Sequence, residues 1–303
     1  MCCWAILSAA VFAGCQGLLE RDARILVVPA SMPGKVAEAV RDLSQKLLKA
    51  EPTHLHRRLK GHEGIDIDVW VLRSRWRWKG AGDFQVVRGT VICLHPLLAS
   101  KTYFLSLGRL LARQGWDVVL MDLRAHGRSG GKYVTWGAKE KYDVKRAVDQ
   151  LLAEGTISER IYVCGSSLGG TVAIQYAAID PRCRGVLALA PPASALRIGR
   201  RFLPLLSRAA YEAAWKRAGE IAGFDPAEAS AEEAARKLTC PLRIVHGWLD
   251  LLVPYRHSQD IIGAAAGPKK LIPLILGGHV PEIGRSAWVA DQIARLETME
   301  QAE

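Results

Sequence analysis

From residue 89 onward the chain repeats one arrangement that few architectures accommodate. Short apolar runs that do not alternate with polar residues are each separated from the next by a stretch of helix length. The runs are GTVICLH, DVVLMDLR, RIYVCG, RGVLALAPP, PLRIVHG and KKLIPLILGG. The intervening helices read as KTYFLSLGRLLARQG, AKEKYDVKRAVDQLLAEG, SLGGTVAIQYAAI and a segment near 256–266, and VPEIGRSAWVADQIARLETM closes the series. Strands that are apolar on both faces belong inside a parallel sheet covered by helices on both sides and joined by right-handed crossovers. The earlier segments HLHRRL and IDIDVWVLRSRW read as two strands with no helix between them, an antiparallel start. In the second, Ile65, Ile67, Val69 and Val71 alternate with polar or aromatic residues. With 303 residues, half of them hydrophobic, the chain can bury a substantial core.

One interval breaks the alternation. Residues 192–237 are helical throughout, basic early (Arg197, Arg200, Arg201) and acidic and alanine-rich late (FDPAEASAEEAARK). They read as a helical cap inserted between two strands. Leu196, Ile198, Phe202, Leu203, Leu205 and Leu206 would either line an acyl pocket or pack the cap onto the sheet. The three arginines read as a solvated face in preference to an anion site. The formal net charge is +11, but the basic residues are scattered and no nucleic-acid motif accompanies them. Nucleic acid is therefore not expected as a partner.

The segment YVCGSSLGG, residues 162–170, joins a strand to a helix. Gly165-Ser166-Ser167-Leu168-Gly169 fits G-x-S-x-G in the context that a nucleophile elbow requires. The turn is so tight that side chains beside the serine would collide, so the register selects the nucleophile. Centring on Ser166 would need glycine at 164 and 168, which are Cys and Leu, whereas Ser167 is flanked by Gly165 and Gly169. Ser166 is left as a turn residue. A phosphate loop would need Lys at 171 followed by Ser or Thr, and Thr171-Val172 stand there.

A serine hydroxyl is a weak nucleophile at neutral pH and needs a base that is oriented by a carboxylate. Two residues stand just past the ends of later strands, on the edge where open α/β sheets bind ligands. Asp250 follows PLRIVHG and His279 follows LIPLILGG. Asp250 has a rival reading as a helix cap. Asp225 and Asp260 are weaker acid candidates because neither follows a strand. Of the eight histidines, only His279 occupies the loop after the last strand; His246 lies within a strand and His257 on a helix.

These residues resemble the α/β-hydrolase superfamily over roughly 54–298, in its serine-aminopeptidase-like and dienelactone-hydrolase-like branches. The likeness rests on GSSLG, LHPLLAS, DLRAHGRSGG, HGWLDLLVP and GGH. It implies a mostly parallel eight-stranded sheet with helices on both faces and a small helical cap. It also implies the triad Ser167, Asp250 and His279, in that chain order. The oxyanion hole would be formed by the backbone N–H groups of Leu168 and Leu97. Pro96 stands where the family usually has glycine and has no N–H to give, so the second donor falls one residue later. Asp122, Arg124, His126, Gly127 and Ser129 would be a structural loop.

The expected activity is hydrolysis of a carboxylic ester through an acyl-enzyme, acting on a small acyl substrate with no metal or organic cofactor. Alternatives are a peptidase or amidase of the serine aminopeptidase type, a thioesterase or acyltransferase, or a binding protein that has kept the fold. The sequence leaves the oligomeric state open.

The N-terminus carries a separate expectation. Residues 1–14 hold no charged side chain and have the length of a signal-peptide apolar region, too short to span a bilayer. Phe12-Ala13-Gly14-Cys15 resembles the bacterial lipoprotein signal, in which cleavage leaves a lipid-modified cysteine. Lipidation at Cys15 would anchor the protein in the cell envelope on the periplasmic side; the alternative is a cytoplasmic protein. Residues 15–53 would form a helical extension with an amphipathic helix at 33–49, and 54–303 the hydrolase domain. Of the seven cysteines, Cys93, Cys164, Cys183 and Cys240 remain beyond the N-terminal segment; Cys93, Cys164 and Cys240 sit in or beside strand-like runs and read as small buried hydrophobes, and no pair has zinc-ligand spacing.

Overall fold

A computed structural model describes residues 17–28, 54–78, 87–279 and 284–300. The expected signal segment, Cys15 and the helix at 33–49 lie outside the described residues. Eight strands form one sheet in the order β1-β2-β4-β3-β5-β6-β7-β8. β1 (His54–Lys60) and β2 (Asp66–Leu72) are antiparallel, and β2 runs antiparallel to β4 (Trp116–Met121). From β4 onward every pairing is parallel: β3 (Gly89–Leu94), β5 (Ile161–Ser166), β6 (Cys183–Leu189), β7 (Leu242–Gly247) and β8 (Lys269–Leu274). This is the mixed sheet that the sequence predicted.

The helices divide between the two faces. The N-terminal helix α1 spans residues 17–27, and α2 (Leu105–Arg113) follows a 3₁₀ turn at Lys101–Phe104. Then come α3 (Glu140–Ala153) and α4 (Leu168–Ala177). Between β6 and β7 lie α5 (Ala195–Phe202), α6 (Arg208–Ala222) and α7 (Ala231–Ala235). α8 (Arg256–Ala264) precedes β8, and α9 (Ser286–Glu300) closes the described chain. One core joins α1, α3, α4 and the insertion to Ile67, Val69, Ile92, Val163, Val186 and Ile244. The other joins α2 and α9 to Trp70, Val91, Leu120, Tyr162, Leu187 and Val245. β2 therefore differs from a half-exposed alternating strand: Trp70 and Leu72 are as buried as Val69 and Val71, because helices cover both faces of the sheet.

The insertion packs more than it exposes. Ile198 and Leu203 are buried and Phe202 and Leu206 partly so, whereas Leu205 is almost fully exposed. Arg197 pairs with Glu232 and Asp260, and Arg200 lies over the Tyr211 ring at 3.7 Å. Two of the three arginines thus hold the insertion together.

α1 falls inside the helical extension expected over 15–53, though the sequence reading places its amphipathic helix at 33–49. Leu19, Ala23, Leu26 and Val27 recur at helical spacing and face the core. Trp136 Nε1 donates to the Leu26 carbonyl at 2.8 Å, Val134 N–H to the Val27 carbonyl at 2.8 Å, and Arg217 Nε on α6 to Glu20 at 2.8 Å. The helix thus ties the loop before α3 to the insertion. Leu26→Ala should lower unfolding stability by about 2–4 kcal/mol, read as a lower urea midpoint; an unchanged midpoint would show that α1 is not part of the cooperative fold.

Candidate active site

The turn after β5 places Ser167 at φ 50 and ψ −115, a backbone conformation that non-glycine residues rarely occupy. The flanking glycines are steric necessities. A Cβ at Gly165 would lie 2.2 Å from the Gly169 carbonyl oxygen, and one at Gly169 would lie 2.0 Å from the Leu94 carbonyl oxygen. The start of α4 can therefore approach the end of β3 only without side chains. Ser167 N–H donates to the Leu189 carbonyl at 2.7 Å, and the Ser167 carbonyl accepts the Thr171 N–H at 3.1 Å, the first bond of α4. Ser166 is the last residue of β5 and fully buried, so it is a strand residue and not part of the turn.

Three side chains predicted from distant parts of the sequence meet here. His279 Nε2 lies 3.0 Å from Ser167 Oγ, and His279 Nδ1 lies 2.7 Å from Asp250 Oδ2. Asp250 Oδ1 accepts the N–H groups of Leu252 at 2.9 Å and Val253 at 2.8 Å. Asp250 therefore does not cap the helix that follows, whose N-cap is Tyr255 with no side-chain bond; one of its oxygens closes the turn at 250–253 and the other meets the histidine. Burial works to raise the Asp250 pKa, but hydrogen bonds from His246, His279 and the Val253 N–H outweigh it and hold the carboxyl well below its usual range. Asp225 instead caps a 3₁₀ turn through the Ala227 N–H, and Asp260 pairs with Arg197.

The sequence reading missed His246. Its Nε2 lies 3.1 Å from Asp250 Oδ2 and 2.8 Å from the Val253 carbonyl, while its Nδ1 lies 2.6 Å from Ser258 Oγ. Both partners of Nε2 are acceptors, so Nε2 carries the proton and Nδ1 accepts from the serine. The signal was the four-residue spacing in HGWLD, which folds a strand-end histidine back onto the acid of the following turn.

The two donors expected for an oxyanion lie on either side of the Leu94–Gly169 contact. Leu168 is the first residue of α4, where a helix leaves its N–H unused. The loop after β3 is a turn closed by Ala99 N–H to the Pro96 carbonyl at 3.2 Å, with Leu98 at φ 65. Leu98 N–H goes to His126 Nε2 at 3.3 Å. Among the described residues, the Leu97 N–H takes no partner within this turn.

Two histidines brace that turn. His95 Nδ1 donates to the Pro96 carbonyl at 2.8 Å, and its Nε2 accepts the Leu123 N–H at 3.0 Å. His126 Nδ1 donates to the Arg124 carbonyl at 2.9 Å while its Nε2 accepts from Leu98. Just beyond, the buried Lys101 pairs with Asp122 at 2.5 Å and Asp68 at 2.6 Å. Asp122 also takes the Arg128 N–H at 2.9 Å, and Ser129 Oγ donates to the Asp122 carbonyl at 2.7 Å. The DLRAHGRS segment is thus a brace behind the turn. Among the described residues, no group of three or more His, Cys, Asp or Glu side chains is arranged to hold a metal.

A sheet whose strand ends carry a strained serine, an aspartate and a histidine in this chain order has the α/β-hydrolase arrangement, and comparison with known proteins shows the same fold. A family model described as "Serine aminopeptidase, S33" matches residues 85–222. The esterase Pf2001 of Pyrococcus furiosus superposes with a TM-score of 0.67 at 22% identity, covering 91% of this chain and 99% of that one. The lysophosphatidylserine lipase ABHD12 of Danio rerio is 28% identical over 236 residues, 70% of this chain and 59% of that protein. YqkD of Bacillus subtilis is 26% identical over 136 residues, 44% of this chain, and the match spans less than half of that protein, 45%. The chain has the α/β-hydrolase fold.

The buried histidines make the site region acid-sensitive. Burial, reinforced by the neighbouring His126, lowers the His95 pKa to about 3; burial, with Arg197 and His246 nearby, lowers that of His257 to about 4. Both bind protons more weakly folded than unfolded. Their stabilisation is complete above about pH 6.5 and is lost as pH falls toward those folded values. Unfolding free energy should therefore drop by about 3 kcal/mol between pH 7 and pH 5, visible as a falling urea midpoint, with little change from pH 7 to 8. Equal midpoints at pH 5 and 7 would contradict the neutral assignment of these rings.

Proposed function

We propose that this chain is a serine hydrolase that cleaves a carboxylic ester through an acyl-enzyme. The observation that carries the reading is the unbroken contact from Ser167 Oγ through His279 to Asp250, at 3.0 and 2.7 Å. In the first half-reaction, His279 Nε2 accepts the Ser167 proton as Oγ attacks the ester carbonyl. Asp250, kept ionised by its hydrogen bonds, fixes the Nδ1–H tautomer and stabilises the imidazolium. The N–H groups of Leu168 and Leu97 receive the oxyanion, and loss of one such donor typically costs about 3 kcal/mol of transition-state stabilisation. His279 then returns the proton to the departing alcohol. In the second half, the same histidine takes a proton from water as it attacks the acyl carbonyl, then returns that proton to Ser167 Oγ as the C–Oγ bond breaks, which releases the acid and restores free Ser167.

Ester chemistry is preferred over amide chemistry because an alkoxide leaves with less protonation than an amine. The match to a serine aminopeptidase model supports peptide or amide hydrolysis as a second reading. Initial rates on short- and long-chain aryl esters beside aminoacyl anilides separate the two. The ester reading expects higher kcat/KM on the esters, a loss of at least about 10⁴-fold in kcat for Ser167→Ala, and a loss of roughly 10⁴-fold for Asp250→Asn. Turnover of anilides alone would reverse the preference, and ester turnover undiminished in Ser167→Ala would end the proposal.

A further inference from the structure

The cysteines of the described residues are thiols, and two of them stand at the N-terminal ends of neighbouring strands. β6 and β7 are paired with Val186 opposite Leu242 and Ala188 opposite Ile244, and these four side chains share one apolar cluster. Cys240, two residues before Leu242, keeps that face. Cys183 lies three residues before Val186, so simple alternation would send it to the other face of the sheet.

The register with β5 shows why it does not go there. Ile161 stands opposite Cys183 while the next residue, Tyr162, stands opposite Gly185. Arg184 is therefore an extra residue, and it is exposed. One inserted residue reverses the alternation, and Cys183 joins the same cluster as Cys240. Counted through the bulge, Cys183 falls opposite Cys240, about one strand spacing of ~4.8 Å away. That lies inside the roughly 4.4–6.8 Å Cα separation that a disulfide spans. Both thiols are buried, and Cys183 Sγ donates to the Gly185 carbonyl at 3.6 Å within its own strand.

We propose that Cys183 and Cys240 are a disulfide-forming pair that staples β6 to β7 at the base of the helical insertion. The bond would close a loop holding β6, α5, α6 and α7, the part of the chain that departs from strand–helix alternation. It would lie on the N-terminal edge of the parallel strands, opposite the edge carrying Ser167, Asp250 and His279. The oxidant is a small disulfide such as glutathione disulfide. The Cys240 thiolate attacks one of its sulfurs and expels one glutathione thiolate. The Cys183 thiol, on losing its proton, attacks the Cys240 sulfur and expels the second. Two protein thiols are oxidised by two electrons and one small disulfide is reduced to two thiols. The neighbouring Cys183 thiol lowers the Cys240 pKa against the opposing effect of burial, which makes Cys240 the first to attack. Cys93 and Cys164, opposite each other on β3 and β5, provide the internal comparison, because burial alone acts on the Cys93 thiol and pushes its pKa up.

Refolding the full chain from denaturant in a glutathione–glutathione disulfide buffer removes any question of access to buried thiols. Alkylation, digestion and mass mapping should then give a Cys183–Cys240 linked peptide pair, with Cys93 and Cys164 alkylated. The oxidised protein should melt on the order of 5 °C higher than the same protein kept in dithiothreitol. Cys183→Ser should lose both the linked peptide and that difference. Native-like refolded protein with both thiols alkylated, a linkage of either to another cysteine, or a Tm rise that persists in Cys183→Ser would overturn the proposal.

Discussion

The close approach of α4 to the end of β3 governs the whole site. The Leu94 carbonyl sits where a side chain on Gly169 would be, and the Gly169 carbonyl where one on Gly165 would be. That contact forces Ser167 into its strained conformation and brings its hydroxyl to the C-terminal edge of the sheet. It also sets the N–H of Leu168 beside the turn that carries Leu97. Strain of this kind costs of order 1–3 kcal/mol and persists only where the surroundings over-determine it. Here the determinants are the parallel pairing of β5 with β3 and β6 and the burial of every residue of β5.

The second determinant is electrostatic. Asp250 is buried, yet it receives the N–H groups of Leu252 and Val253 and the rings of His246 and His279. A buried carboxylate stays ionised only when hydrogen bonds replace its lost hydration. Two of these donors are fixed further out: His246 by Ser258 on α8, and Val253 by its carbonyl on His246 Nε2. His257 on α8 accepts the Ala193 N–H at 2.9 Å, which ties the start of the insertion to the same helix. The site and the insertion therefore share one support.

Much of this was legible in the sequence because parallel strands buried on both faces leave an unmistakable trace. GTVICLH, RIYVCG and PLRIVHG have no alternation, and each ends on a residue or turn that the site uses. Glycine spacing puts Ser167 at the strained turn because the constraint there is steric and local. Asp250 and His279 each follow a strand, which chain topology brings to the same edge, within contact of each other and of Ser167. What was hidden depends on contacts between segments far apart. Nothing local marks His246 as a partner of Asp250, since a histidine inside an apolar strand reads as core. α1 carries a helical period over only 17–27, and its docking depends on Trp136 and Arg217 more than a hundred residues away. The last helix begins at Ser286, later than the apolar spacing from Val280 suggested. The bulge at Arg184, which decides the face taken by Cys183, shows only in the pairing with β5.

The central claim is that backbone strain and the Asp250–His279 contact make one hydroxyl, that of Ser167, unusually nucleophilic. Treating the native protein with a fluorophosphonate and locating the adduct by peptide mass mapping tests it most directly. The account predicts a single stoichiometric adduct on Ser167, formed far faster than after acid unfolding. An adduct on Ser166 or another residue, or a folded protein that takes up no probe, would contradict it.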